Sequence, residues 1–402
     1  MKIGILANFP VGPRYNGGAM TVWGIYQAYK EKGYDIKLIL LCDQNTNASI
    51  FKDCQEFLKL NKVNYEIIFF NYQKKNLFNK IKNFIISLLF QTPEYFFYEQ
   101  SKLNKKVEEI FEKENFQKII CYHFDALSSC YLNNSKNIIC FMGDLMHEPR
   151  SAGRLINVNN LFTKCINKLE EIISMRVTLN LLSKFKNIGF CAHHYKEKIK
   201  KKIIHTNYYR VPIINPEKII KYETNIKNVN KILLIGDLTG TVTISSLIYL
   251  QKFLKNSNSI DKEYFEINVF GNGKLKSSLK DLNNYKFIKF RGVSNNISDE
   301  FDNMSILLVP NDIKVGMRVR IITAISYGLV VLTHSSNLSG IPELEHNRNV
   351  LVFNSFSELD HLLTGIKNST IDLDKISKEG INTFNKYFNY KNAVTDLENK
   401  LI

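Results

Sequence analysis

The chain has 402 residues, 45% of them hydrophobic and 23% charged, enough for two ordinary domains with a core in each, which excludes a disordered protein. Lys and Arg number 54 against 38 Asp and Glu, a formal charge of +16 that favours acidic partners such as nucleic acid, anionic lipid or phosphorylated small molecules. The seven cysteines all lie in the first half, without C-x-x-C pairs or spaced histidines, which argues against a zinc site or a disulfide framework and for a reducing cytoplasm.

Apolar runs predict strands at 2–7, 36–41, 64–70, 118–122, 137–142 and 187–191. No signal-peptide pattern follows Met1-Lys2, and the longest apolar stretches, such as "FIISLLF" at 84–90, are too short to span a membrane. Helical patterns separate the strands, beginning with 19–32, which Gly33 closes in the position of a C-terminal cap. Segment 72–90 places Leu77, Phe78, Ile81, Phe84, Ile85, Leu88 and Leu89 at helical spacing, with Lys75, Lys80 and Lys82 mostly elsewhere on the wheel. That pattern suits a helix packed on a sheet, and equally a basic helix lying on an anionic membrane surface. The lysine-rich stretch 193–205 carries the same two readings.

Prolines and polar residues break the rhythm at 212–230. The alternation then restarts with strands at 231–235, 266–270, 286–290, 305–309, 329–333 and 350–353, and helices at 243–255, 318–327, 356–367 and 374–400. Two such alternations with one break predict an α/β protein of two doubly wound, Rossmann-like domains facing a central cleft. The expected division is 1–212, 213–385 and a last helix from 386 to 402 that packs back on the first domain.

Two segments carry the chemistry. Gly17 and Gly18, in "YNGGAMTVWG", stand between the first strand and a helix, where a flexible turn or the close approach of an anion are the alternatives. Segment 316–345 places Gly316 before a helix whose first turn holds Arg318 and Arg320, and Gly328 ends it. Two guanidinium forks beside free backbone N–H groups suit a diphosphate; a solvated helix face is the plainer alternative.

The segment from Gly316 through Thr323-Ala324, Gly328 and Val330-Val331 resembles the donor site of GT-B glycosyltransferases, in particular retaining family 4 and its relatives. "LLIGDLTGTVTISSLIYLQKFL", "INVFGNG", "FRGVSNNISDEFDNMSILLVPN" and the N-terminal opening are similar to further units of that family, so the resemblance covers most of the chain. It implies a glycosyltransferase that takes a nucleotide-diphosphate sugar to a surface-glycan or lipid-linked saccharide, with retention and without a metal or other cofactor. The donor site it implies comprises Gly17, Gly18, Gly236, Thr239, Thr241, Gly271, Asn272, Arg318, Arg320 and Thr323.

One departure counts against turnover. Most family 4 enzymes carry glutamates where this chain has Val315 and Thr323. On the acceptor side, "IICYHFDA" resembles the strand end where related mannosyltransferases carry an essential histidine, which falls on His123. Asp144, ending the next strand, is the second catalytic candidate, with helix N-capping as the alternative. His147, Arg150 and Arg154 follow on a loop suited to an anionic acceptor. The expected location is the cytoplasm at the inner face of the plasma membrane. A non-catalytic nucleotide-sugar-binding subunit is the main rival. Nucleic acid is not an expected partner, because stacking aromatics do not accompany the lysines.

Overall fold

The computed structural model describes all residues except 9, 12–16, 44–47, 71–76, 92–99, 131–136, 146–147, 149–160, 204–205, 211–214, 216–225, 227, 258–263, 295–296, 315–317 and 402. The chain divides into two compact units, one of Met1–Arg154, Val158–Pro216 and Ala393–Ile402, the other centred on Glu217–Asn392.

The first unit is a seven-stranded parallel sheet: β1 (Lys2–Ala7), β2 (Asp35–Asp43), β3 (Tyr65–Phe70), β4 (Lys118–Tyr122), β5 (Ile138–Met142), β6 (Asn187–Phe190) and β7 (Asn207–Arg210). Their spatial order is β3-β2-β1-β4-β5-β6-β7. β1, β2, β4 and β5 are buried nearly throughout, as apolar strands covered by helices on both faces must be. The helix Gly17–Glu31 ends in a Schellman turn: Tyr34 N–H donates to the Tyr29 carbonyl at 3.2 Å and Gly33 N–H to Lys30 at 3.0 Å. Gly33 itself has φ +79°, which glycine adopts at no steric cost. The chain's last residues return to this unit, where Lys32 pairs with Glu398.

The second unit is a six-stranded parallel sheet: β8 (Lys231–Ile235), β9 (Glu266–Phe270), β10 (Ile288–Gly292), β11 (Ile306–Val309), β12 (Val330–His334) and β13 (Leu351–Phe353), in the order β10-β9-β8-β11-β12-β13. Ile232, Leu234, Ile306, Leu308, Val330 and Leu332 meet Ile244, Leu247 and Leu250 of the helix Thr241–Asn256 in its core. Among the described residues no helix is long and apolar enough to cross a membrane. All seven cysteines are free and all but Cys165 are buried.

Four expectations need correction. Segment 374–400 is two helices, Leu373–Tyr387 and Tyr390–Leu401, because Phe388 and Asn389 are both buried at the joint and interrupt the first. The strand expected at 286–290 begins at Ile288 instead, since Tyr285–Phe287 are occupied by the turn in which Ile288 N–H donates to Tyr285. Strand β7 is added, short and only half-buried, and therefore without an apolar run to betray it. Arg318 caps the helix Val319–Ser326 from outside rather than lying in its first turn.

Candidate functional site

In both parallel sheets the strand order reverses beside the first strand, between β1 and β4 in the first unit and between β8 and β11 in the second. Strand ends at such a switch point diverge and leave room for a ligand. The residues of interest gather at these two places.

In the second unit, the loop after β8 turns at Gly236 and leads through Gly240 into the helix Thr241–Asn256. Across the switch point, Arg320 reaches back from the helix Val319–Ser326 and donates from Nη1 to the carbonyl of Ile235, the last residue of β8. The packing around Gly236 is tight. A Cβ there would lie 2.3 Å from Thr243 Oγ1, 2.7 Å from Arg320 Nη1 and 2.9 Å from Nη2, at a φ of +154°. Gly271 is tighter still, since its Cβ would sit 1.9 Å from the Gly236 carbonyl oxygen. Three backbone bonds fix this arrangement: Gly236 N–H to Phe270 (3.0 Å), Leu238 N–H to Asn272 (2.8 Å) and Gly271 N–H to Gly292 (2.8 Å).

Neither helix that opens here has a side-chain cap or an acid in its first turn. Their first N–H groups and positive dipole ends therefore face the strand ends together with two guanidiniums. Burial, and secondarily the charge of Arg318, push the Arg320 guanidinium down to about 10, so it remains charged at neutral pH. Arg318 is itself buried and donates from Nε to Asn337 Oδ1 at 2.9 Å. The buried Arg320 cation, bonded to a neutral carbonyl beside two helix N-termini, makes a site for an anion.

The other residues expected in the donor site take varied places. Thr241 begins its helix and Thr323 is buried within the helix Val319–Ser326. Thr239 commits its N–H and hydroxyl to Asp237 Oδ1, at 2.9 and 2.7 Å, in an Asx turn. Asn272 is exposed and accepts from Gly273 N–H at 2.8 Å. Sequence reasoning passed over Thr243, which touches the Gly236 turn, and the buried amides Asn311 and Asn337. Their only signal was a polar residue in an apolar context. Val315 and Gly316 lie outside the described residues, as do His147, Arg150 and Arg154 and much of 212–230.

In the first unit, Gly17 and Gly18 form the first turn of the helix Gly17–Glu31, where Thr21 Oγ1 donates to the Gly17 carbonyl at 2.9 Å. His123 follows the last residue of β4 with φ +74°, a left-handed conformation that costs a β-carbon-bearing residue about 1–2 kcal/mol. The next strand end is close by. A Cβ on Gly143 would lie 3.4 Å from His123 Cδ2 and 3.1 Å from Tyr122 Oη, and Asp144 comes next in the chain. Asn8, after β1, donates from Nδ2 to Asp125 across the switch point. Burial raises the Asp125 carboxyl, opposed by His123 and by this bond. The structure thus brings His123 near Gly143-Asp144 and adds Asn8 and Asp125. Among the described residues no three His, Cys, Asp or Glu side chains gather into a metal-holding group.

No family model matches the chain. No curated protein sequence matches it either. Solved structures do. The Anabaena protein HepE, solved in complex with UDP, is 12% identical with a TM-score of 0.67, over 100% of this chain and 99% of that one. A glycosyltransferase from Rickettsia africae is 17% identical with a TM-score of 0.62, covering 99% and 98%. The lipopolysaccharide outer core galactosyltransferase WaaB is 12% identical with a TM-score of 0.63, covering all of both chains. With these likenesses and its two parallel sheets, the chain has a GT-B fold, two Rossmann-like domains in succession.

Proposed function

We propose that the protein is a glycosyltransferase, family 4-like, that moves a sugar from a nucleotide-diphosphate sugar to a saccharide or lipid-linked acceptor of a surface glycan. The observation that carries this is the Arg320 guanidinium packed against the Gly236 turn, between two uncapped helix starts. The Anabaena fold neighbour solved with UDP, and again with UDP and glucose, supports a nucleotide sugar as the partner.

In this reading the second unit holds the donor. Gly236 and Gly271 let the turns after β8 and β9 pack against each other and against Arg320, and Asn272, Thr239, Thr241 and Thr323 are proposed to complete the donor site. As the bond from the anomeric carbon to the diphosphate oxygen breaks, negative charge grows on the leaving group. In this reading Arg318, Arg320 and the helix N-termini receive that charge, and the reaction proceeds without a metal and with retention. The first unit is proposed to take the acceptor, with His123 and Asp144 placing and deprotonating its hydroxyl. His147, Arg150 and Arg154 are proposed to meet an anionic acceptor.

Contact with the inner face of an anionic membrane is supported by the helix Leu77–Phe90. Ile81, Ile85 and Leu89 are 51%, 47% and 66% exposed while Ser87 is fully buried, so the apolar stripe faces outward and a polar residue inward. Exposed Lys82 lies beside that stripe.

The test is nucleotide release and sugar transfer from UDP-, GDP- and ADP-sugars to a lipid and oligosaccharide extract, with Arg320→Ala and His123→Ala alongside. Transfer by the wild type and its loss in both variants is the expected result. A second reading, a binding subunit without turnover, is favoured by Val315 and Thr323 standing where the family has glutamates. Nucleotide binding without any release or transfer would establish it.

A further inference from the structure

Cys121 lies in β4, shortly before His123, and Cys130 ends the helix His123–Ser129 that follows, where its N–H donates to the Leu127 carbonyl at 3.2 Å. Their sulfurs are in van der Waals contact at 3.4 Å, and both residues are buried. The Cys130 sulfur is also 3.4 Å from the Ala126 carbonyl and 3.5 Å from that of Leu127. Its hydrogen therefore has an acceptor inside its own helix, which leaves a sulfur lone pair for Cys121. Cys140 stands opposite Cys121 on β5. Neighbouring strands lie about 4.8 Å apart, however, beyond the roughly 3.8 Å that bridged β-carbons keep. A helix end can approach β4 more closely than a strand fixed in the ladder, so Cys130 is the partner suited to bonding.

We propose that Cys121 and Cys130 are a reversible dithiol site that closes to a disulfide and clamps the segment bearing His123. The oxidant is a low-molecular-weight disulfide of the glutathione class. The Cys130 thiolate attacks one of its sulfurs, forming a mixed disulfide and releasing one thiolate. The Cys121 thiolate then attacks the Cys130 sulfur and releases the second. Two S–H bonds are lost and one S–S bond forms, while the oxidant takes up both electrons and both protons as two thiols. Cys130 reacts first because helix ends open before buried strands. Burial, and after it the contact with Cys130, hold the Cys121 thiol well above its ordinary range, so it stays protonated until that opening. The sulfurs have only about 1.3 Å to close. In a reducing compartment such a pair rests as thiols and closes when the glutathione pool turns oxidising. His123, at φ +74°, lies inside the closed loop, so the bridge fixes a residue whose backbone is already strained.

The test uses the full chain carrying Cys165→Ser, which removes the exposed thiol. It is equilibrated in glutathione buffers of rising disulfide content, quenched in acid, blocked with N-ethylmaleimide and mapped by mass spectrometry. The expected product is a pair of peptides joined through Cys121 and Cys130 and released again by dithiothreitol. Hydrogen exchange across 123–130 should slow roughly tenfold or more in the oxidised form. Cys130→Ser should abolish the bridge, whereas Cys140→Ser should leave it. The first two readouts need neither variant, so misfolding of one does not remove the test. Cys121 and Cys130 left as thiols in a buffer that oxidises the urea-unfolded chain, or Cys121 joined to Cys140, would overturn the proposal. A bridge that forms without slower exchange would overturn the clamp.

Discussion

Replacing Gly271 with alanine should damage the second unit more than any other single methyl group added near its strand ends. The new Cβ would sit 1.9 Å from the Gly236 carbonyl oxygen and 2.9 Å from the carbon that bears it, and both are backbone atoms that cannot rotate away. The turns after β8 and β9 must therefore separate by roughly 1 Å or more. That opens the Gly236–Phe270 and Leu238–Asn272 hydrogen bonds, now 3.0 and 2.8 Å long. Overpacking of this kind costs about 1–3 kcal/mol, and each opened backbone bond adds about 0.5–1.5 kcal/mol. The expected total is about 2–6 kcal/mol. Gly292→Ala is the control: its φ is +76° but nothing lies within 4 Å of the added carbon, so it carries only the left-handed cost of about 1–2 kcal/mol. Hydrogen-exchange mass spectrometry read on peptides of 231–240 and 266–273, with urea titration, measures both. Gly271→Ala should lose protection in both peptides and Gly292→Ala in neither. If Gly271→Ala cost less than Gly292→Ala, the tight apposition of the two turns would be wrong.

Other outcomes follow from the same geometry. Gly236→Ala would combine the strain of a β-carbon at φ +154° with close approach to Thr243 Oγ1 and the Arg320 guanidinium, so it should cost both stability and nucleotide affinity, and calorimetric titration beside a urea melt would show both. His123→Gly relieves a left-handed residue (φ +74°) and should leave stability within about 1 kcal/mol of wild type while abolishing transfer; a loss of several kcal/mol would contradict it. Glu114 accepts from Lys2 at 2.6 Å and Lys37 at 2.7 Å, and these bonds hold its carboxyl down to about 2, below its ordinary 4.5. Its contribution is therefore complete above pH 4.5 and falls away as pH drops towards 2, because the unfolded state takes up the proton first. Discounted for solvent screening, it amounts to about 1 kcal/mol. Glu114→Gln should lower stability at pH 7 by that amount and flatten the acid limb of the melting curve. Ile81→Ser with Ile85→Ser should leave the melting temperature intact, the two side chains being exposed, and reduce sedimentation with phosphatidylglycerol vesicles; unchanged sedimentation would refute the membrane reading.

The fold was legible wherever burial is two-sided. β1, β4, β8 and β9 begin and end where the apolar runs do, since a strand covered on both faces has to be apolar at nearly every position. β7, exposed at Asn207 and only half-buried along Tyr208–Arg210, carried no such run. The joint at Phe388-Asn389 was hidden because both flanks are amphipathic and neither glycine nor proline marks the break. Of the site, Gly236, Gly271 and Arg320 were singled out by the resemblance to glycosyltransferase segments together with their position after predicted strands. Gly236, Gly271 and Arg320 are indeed packed together. Thr243, Asn311 and Asn337 could not be seen, because what distinguishes them is which donors and acceptors the strand ends bring within 3.2 Å, and that is decided by sheet order rather than by local sequence.

The most direct measurement is calorimetric titration of the wild type and Arg320→Ala with UDP, GDP, ADP, dTDP, CDP and CMP. A live donor site predicts that one diphosphate binds the wild type and that Arg320→Ala weakens it roughly 10- to 100-fold, as expected for a charge-assisted bond to phosphate. A wild type that binds none of them, or a variant that binds as tightly, would contradict the assignment of the Gly236–Arg320 site to a nucleotide sugar.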